Sequence, residues 1–263
     1  MAGYLAVEPG PSGVLRLLCF HHAGAGALSF ARWQKRLGDA RSGGSDARSA
    51  ATRGGIRAVP VRLAGRETRL REPRVTDAGQ LLDELDAQLG SLCEEPYALY
   101  GHSLGALVAY SFAVRREKSG LRPPELLAVG ACPAPHLGMP LLDGTELHDR
   151  DLYALLERSG GAASTSEDQH PGRTMMSILR DDLMLARSLR AAAGAALSTP
   201  LLAYAGSEDQ VAPAGDVAEW ARYTMHSFRL QIVPGGHFFV RDAVLPDLLA
   251  AELRERRPLT PLM

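Results

Sequence analysis

Two periodicities of apolar residues alternate along this chain. Short apolar runs of strand type recur at residues 14–20, 56–63, 97–100, 126–130, 201–205 and 228–233. Several of these runs are apolar on both faces, as the strands of a helix-covered parallel sheet are. Segments with helical spacing of apolar residues lie between them. We therefore predict an α/β fold with a mostly parallel central sheet flanked by helices.

Three helices are indicated between and after these strands. One follows Thr76, the candidate cap, a second starts just after Ser103, and a third ends the chain. The residues that mark them are Leu81, Leu82, Leu85, Leu89, Leu104, Leu107, Val108, Phe112, Val244, Leu248, Leu249 and Leu253. Their spacing places one apolar stripe on each helix, facing the sheet.

The alternation breaks at two places. Residues 38–55 are rich in Gly, Ser, Asp and Arg without periodicity, and we predict a flexible surface loop there. Residues 137–196 contain helical patterns but no strand signal, which predicts an inserted helical lid over the carboxyl edge of the sheet. Peripheral helices without a role at the site are the alternative. The core would then comprise residues 1–136 and 197–263.

The part of the core before the predicted lid contains the chain's most informative motif, Gly101-His102-Ser103-Leu104-Gly105. It lies between a predicted strand and a predicted helix. A Gly-x-Ser-x-Gly at such a turn is the nucleophile elbow of α/β-hydrolases, which exposes the serine above the sheet. Ser103 is therefore the candidate nucleophile.

A serine hydroxyl needs a general base, and the base needs an orienting carboxylate. In this fold the order along the chain is serine, acid, histidine. Glu208 and Asp209 both follow the strand at 201–205, and we favour Asp209 because Gly-x-x-Asp recurs at this loop. His237 follows the last strand after two glycines, and the other seven histidines fit that place less well.

Acyl transfer also requires donors for the oxyanion. One donor is the backbone N–H of the residue after the nucleophile, Leu104. The second comes from a loop after an early strand, and residues 21–26, His-His-Ala-Gly-Ala-Gly, fit that description.

Composition narrows the class further. The 263 residues carry a formal net charge of −1, which gives no global attraction to nucleic acid or to anionic membranes. Three cysteines match no zinc spacing and no disulfide framework, so we expect no metal site and a reducing compartment. Neither a signal peptide nor a membrane span is visible, and we expect a cytoplasmic protein.

Taken together, these motifs make the chain resemble the type II thioesterases of polyketide and nonribosomal peptide assembly lines. The similar segments are CFHHAGAG, VRLAGRETRLREP, YGHSLGALVAY, GSEDQVAP and PGGHFFV, with LRDDL in the lid region. His21 and Ala64 stand where the family usually has proline.

The resemblance implies an editing thioesterase for antibiotic-type biosynthesis. It would hydrolyse acyl groups from the phosphopantetheine arm of acyl or peptidyl carrier proteins, using Ser103, Asp209 and His237. The N–H groups of Ala23 and Leu104 would form the oxyanion hole. The substrate carries phosphopantetheine, and no cofactor is expected of the protein itself.

Carrier proteins are usually acidic, and residues 62–74 are rich in arginine. Arg69 and Arg71 are therefore candidates for carrier docking, and we expect a monomer. Two other functions fit the same motifs: a small-molecule carboxylesterase or lipase-type hydrolase, and a non-catalytic carrier-binding protein on the same fold.

Overall fold

One parallel sheet organises the protein. The computed structural model describes residues 3–39, 55–138, 147–160 and 172–256. The strands are β1 (Leu15–Phe20), β2 (Ile56–Val61), β3 (Tyr97–His102), β4 (Leu127–Gly130), β5 (Leu201–Gly206) and β6 (Phe228–Val233). Their order is β2-β1-β3-β4-β5-β6, and every neighbouring pair is parallel. All six predicted strands and the α/β fold class are confirmed.

Helices cover both faces of the sheet. They are α1 (Trp33–Asp39), α2 (Ala78–Leu89), α3 (Leu104–Lys118), α4 (Asp149–Arg158), α5 (Arg173–Ala191), α6 (Ala214–Ala218) and α7 (Val244–Arg256). The short helices α1 and α6 were not predicted, because each has too few turns to show a period.

The cap of α2 differs from the prediction. Asp77, not Thr76, precedes the helix in an extended conformation, and its carboxylate accepts the N–H of Gln80 at 2.8 Å. Asp77 is the residue whose carboxylate lies over the otherwise unpaired N–H groups of the first turn, so it serves as the cap.

Alternating strand residues build two separate cores. In β1, Leu18 and Phe20 join the core beneath α2, α3 and α5, whereas Leu17 and Cys19 join the core beneath α1 and α7. This division follows from the two-residue period of a strand. Strands β1, β3, β4 and β5 are buried along their whole length, whereas the edge strand β6 is partly exposed.

Helices α4 and α5 form an insertion between β4 and β5. Residues 139–146 and 161–171 of the predicted lid lie outside the described residues, as do residues 40–54 of the predicted loop. The first two residues of that loop, Gly38 and Asp39, belong to α1. We call α4 and α5 with their described flanks, residues 147–160 and 172–196, the helical insertion. Its described part contains no strand.

Candidate active site

The turn between β3 and α3 holds Ser103 in a strained conformation, with φ 54° and ψ −115°. A side chain on Gly101 would place its Cβ 2.0 Å from the carbonyl oxygen of Gly105, and a Cβ on Gly105 would lie 2.1 Å from that of Phe20. Strand and helix are thus too close for any residue but glycine. The N–H of Ser103 donates to the carbonyl of Gly130 at 2.8 Å. These backbone contacts together hold the strained turn.

Ser103 is the first of three side chains joined by hydrogen bonds. Its Oγ lies 3.2 Å from Nε2 of His237, in the loop after β6. Nδ1 of His237 lies 2.9 Å from Oδ2 of Asp209, in the loop after β5. The neighbouring Glu208 is exposed. Of the two acidic candidates, Asp209 is therefore the one that contacts the histidine.

The environment of Asp209 favours its ionised form. Burial by itself raises the pKa of this carboxyl group, but the hydrogen bond and charge of His237 and the N–H groups of Ala212 and Val211 together hold it below its ordinary value. Those two N–H groups donate to Oδ1 at 3.0 and 2.8 Å. Oδ2 is left for the imidazole, so Nδ1 carries the proton and Nε2 faces Ser103 as an acceptor.

His102 is a second histidine of the site, and sequence reasoning gave it no role. Its Nε2–H donates to the carbonyl oxygen of His237 at 2.7 Å, and its Nδ1 accepts the hydroxyl of Tyr100 at 2.8 Å. Complete burial, followed by the nearby charge of His237, lowers the pKa of His102 to about 3. The neutral ring of His102 thus connects β3 to the loop that carries His237. Its place beside the nucleophile in a buried strand is the only signal the sequence offered.

The two residues predicted to supply the oxyanion donors line the same cavity as the serine. Leu104 begins α3, and the first N–H groups of a helix have no partner within it. Ala23 lies in the loop after β1, where Gly24 adopts a positive φ of 75°. Ala23, Leu104, Ser103 and His237 all line one cavity.

This cavity lies between the sheet edge and the helical insertion. Most of its wall is apolar. The insertion contributes Leu155, Leu156, Ser159, Leu179, Leu183, Ala186 and Arg190. An apolar chamber with a few polar groups at one point suits an acyl chain whose carbonyl lies at Ser103.

Arg69 does not lie where carrier docking would need it. Its side chain is 7% exposed, contacts Glu72 at 2.6 Å, donates to the carbonyl of Arg62 and lies over the ring of Tyr4. The docking prediction for Arg69 is wrong, because these partners draw the guanidinium inward. Arg71 is exposed.

All three cysteines lie among the described residues. Cys19, Cys93 and Cys132 are free and buried, and burial raises the pKa of Cys132, which lines the cavity, to about 11. Among the described residues no cluster of three or more histidine, cysteine or acidic side chains could hold a metal ion. No helix in the same ranges is long and apolar enough to cross a membrane.

A serine after the third strand, an acid after the fifth and a histidine after the last, around a parallel sheet, define an α/β-hydrolase. Within this class the chain belongs to the thioesterase family, since the model described as "Thioesterase domain" matches residues 15–251. It is therefore a hydrolase that acts on thioesters.

Three known thioesterases are similar to this chain in sequence or in structure. Thioesterase PikA5 of Streptomyces venezuelae is 32% identical over 238 residues, covering 89% of this chain and 79% of its own. RedJ, a thioesterase from the prodiginine pathway of Streptomyces coelicolor, has a TM-score of 0.74 at 32% identity, covering 95% and 94% of the two chains. BorB, a type II thioesterase from the borrelidin cluster, has a TM-score of 0.73 at 29% identity, covering 94% and 96%. The resemblance to type II thioesterases is confirmed.

Proposed function

We propose that this protein is a type II, editing thioesterase that hydrolyses acyl groups from the phosphopantetheine arm of carrier proteins in polyketide or nonribosomal peptide synthesis. The observation that carries the proposal is the hydrogen-bonded row Ser103–His237–Asp209, whose serine and histidine line an apolar cavity under the helical insertion. The pathways named for RedJ and BorB support the substrate class. In this proposal the protein acts as a monomer without a cofactor.

The first half-reaction forms an acyl-enzyme. Nε2 of His237 takes the proton of Ser103 as Oγ attacks the thioester carbonyl. The N–H groups of Ala23 and Leu104 stabilise the negative oxygen, and one such donor is typically worth about 3 kcal/mol. The C–S bond then breaks, and the pantetheine sulfur leaves as a thiol with the proton from His237.

The second half-reaction consumes water. His237 accepts a proton from the water as it attacks the acyl-enzyme, and then returns a proton to Oγ of Ser103. The products are a carboxylic acid, a free carrier thiol and the unchanged enzyme. Asp209 keeps the proton of the neutral imidazole on Nδ1 and stabilises the imidazolium that forms in each half-reaction.

The substitution Ser103→Ala tests the nucleophile. We expect it to abolish acyl release from an acyl-carrier protein, whereas Ser198→Ala, at an exposed serine before β5, should leave the rate unchanged. Circular dichroism of both purified variants verifies folding. Retained hydrolysis by folded Ser103→Ala protein would falsify the assignment.

Substrate comparison separates the proposal from its two alternatives. A carrier-directed thioesterase should have a higher kcat/KM for an acyl-carrier protein than for a p-nitrophenyl ester with the same acyl chain. A carboxylesterase should show the reverse order. A non-catalytic binding protein would fail to label at Ser103 with a fluorophosphonate, which requires an activated serine.

Carrier docking is proposed at Arg71 alone. The exposed guanidinium lies in the arginine-rich segment after β2 and suits an acidic partner. Arg71→Glu should raise KM for an acyl-carrier protein several-fold and leave a small thioester unaffected. Arg36→Glu, at an exposed arginine of α1 outside the arginine-rich segment, is the control. Equal effects of Arg71→Glu on both substrates would exclude docking there.

A further inference from the structure

A buried ion pair lies behind the loop that carries Ala23. We call residues 21–26 the oxyanion loop. Arg66 follows β2 and Asp182 lies in α5, and their side chains are only 6% and 2% exposed. The two groups meet through two hydrogen bonds, Nη1 to Oδ2 at 2.9 Å and Nη2 to Oδ1 at 2.8 Å. This paired geometry fixes both planes.

Both members of the pair also bind the oxyanion loop. Oδ2 of Asp182 accepts the N–H of Gly24 at 2.8 Å, and Nη1 of Arg66 donates to the carbonyl of Ala25 at 2.9 Å. The backbone before and after the positive-φ residue Gly24 is therefore anchored by side chains from two distant segments.

The anchored backbone leads directly to the candidate oxyanion donor. The N–H of Ala25 donates to the carbonyl of His22 at 3.2 Å. That carbonyl and the N–H of Ala23 belong to one planar peptide group, so fixing one orients the other. Hydrogen bonds thus connect the ion pair to the direction in which the Ala23 N–H points.

A gain in the stability of the fold does not by itself explain a buried ion pair at this place. Removing two charges from water consumes most of their mutual attraction, and apolar pairs of similar size are often equally stable in their place. What an apolar pair cannot supply is the acceptor for Gly24 and the donor for Ala25.

We propose that Arg66 and Asp182 are positioning residues that aim the Ala23 N–H at the oxyanion. Because Asp182 belongs to the helical insertion, the oxyanion hole is complete only while α5 lies against the loop. The proposal rests on the proposed function, in which Ala23 supplies one oxyanion donor.

The chain offers a matched control one residue away. Asp181 of α5 binds Nε of Arg74 at 2.5 Å, and Arg74 also donates to the hydroxyl of Ser177. This second pair joins the same helix to the same segment after β2. Its hydrogen bonds do not involve the oxyanion loop.

The experiment compares the double variants Arg66→Met/Asp182→Leu and Arg74→Met/Asp181→Leu, which remove both charges of each pair. For octanoyl-N-acetylcysteamine we expect the first to lower kcat about tenfold to a hundredfold, with KM changed less than threefold, since complete loss of an oxyanion donor lowers kcat about a hundredfold or more. The control should keep kcat within twofold. Octylboronic acid, which forms a tetrahedral adduct with a reactive serine, should bind the first variant more weakly by the same factor as the loss of kcat.

Asp182→Asn is the smaller change at the loop, because asparagine keeps an oxygen for the Gly24 N–H. It leaves the buried charge of Arg66 without its carboxylate, so folding of this variant is verified by circular dichroism before kcat is compared. Its kcat should lie between those of the wild type and Asp182→Ala, with Asp181→Asn unchanged. The proposal is overturned if folded Arg66→Met/Asp182→Leu matches the control, or if kcat falls while boronate affinity does not. Ser103→Ala separates the two levels: if that variant remains active the proposed function fails, and if it is inactive while both double variants behave alike, only the positioning role fails.

Discussion

The nucleophile elbow and the oxyanion loop line the same cavity but are held in place by different means. Ser103 is fixed by backbone packed against backbone, with Gly101 and Gly105 too close to their neighbours for a side chain. The oxyanion loop is fixed by side chains, chiefly Arg66 and Asp182, which come from separate parts of the chain.

The two parts of the site therefore depend on different elements of the fold. The elbow is built from adjacent residues packed against the backbone of β1 and β4, so it forms whenever α3 packs on the sheet. The oxyanion loop depends on the helical insertion and can be altered by whatever moves α5. Nucleophile and oxyanion donor can therefore be perturbed separately, and the following predictions use that separation.

The largest effect is expected from Gly101→Ala. Its Cβ would lie 2.0 Å from the carbonyl oxygen of Gly105, so strand and helix must separate. We expect a loss of about 4 kcal/mol or more in the free energy of unfolding, measured by urea denaturation, together with loss of activity. Gly215→Ala, whose Cβ meets nothing within 4 Å, should be neutral or slightly stabilising. Equal stability of the two variants would show that the elbow is not backbone-packed.

Asp209→Asn should come next and affect chemistry more than stability. The amide no longer selects the Nδ1–H form of His237, and loss of this selection lowers kcat about 10³- to 10⁴-fold in serine hydrolases. Glu208→Gln, at the exposed neighbour, should change kcat less than twofold. Both are measured with one small thioester. A larger effect at Glu208 would mean that the acid has been assigned to the wrong residue.

His102→Phe should lower kcat about tenfold to a hundredfold. An aromatic ring is kept, but the carbonyl of His237 loses its donor, and small displacements of a catalytic group have effects of this size. His102→Gln retains a donor and should recover part of the loss. KM and the melting temperature are measured alongside. A fall in melting temperature with kcat unchanged in both variants would assign His102 to stability only.

The smallest effect is expected on the free energy of unfolding in acid, through His21 of the oxyanion loop. Burial, followed by the charge of Arg66, lowers the pKa of His21 to about 4. Between about pH 6.5 and pH 4 the unfolded chain binds a proton that the folded protein excludes, so the free energy of unfolding falls as the pH is lowered. His21 contributes up to about 1.4 kcal/mol per pH unit in this window.

His21→Asn removes the titrating group and should therefore reduce that slope by about one proton. Asparagine can still donate to the carbonyl of His22, and it lacks the buried Nε2 that has no hydrogen-bond partner. Urea denaturation between pH 6 and pH 5 measures the slope. An unchanged slope would mean that His21 takes up its proton in the folded state as well.

Much of the site could be predicted because its determinants are local. The elbow is five consecutive residues, and the order of acid and histidine follows from the order of the strands. The choice of Asp209 over Glu208 rested on a recurring motif, and the hydrogen bond to His237 agrees with it. The cap of α2 was misplaced by one residue, since Thr76 and Asp77 are both good cap residues and only the turn geometry separates them.

The failures share one cause. Arg69 carries the same charge as Arg71 in the sequence, but Tyr4 and Glu72 draw it into the interior. His102 could be seen beside the serine, yet its contact with the histidine loop joins residues far apart in the chain. Sequence alone determined the sheet and the class of chemistry and singled out Ser103 as the candidate nucleophile, because these follow from periodicity and short motifs. Only the tertiary structure decided which charges are buried and which side chains bind the oxyanion loop, because those depend on contacts between distant segments such as Arg66 and Asp182.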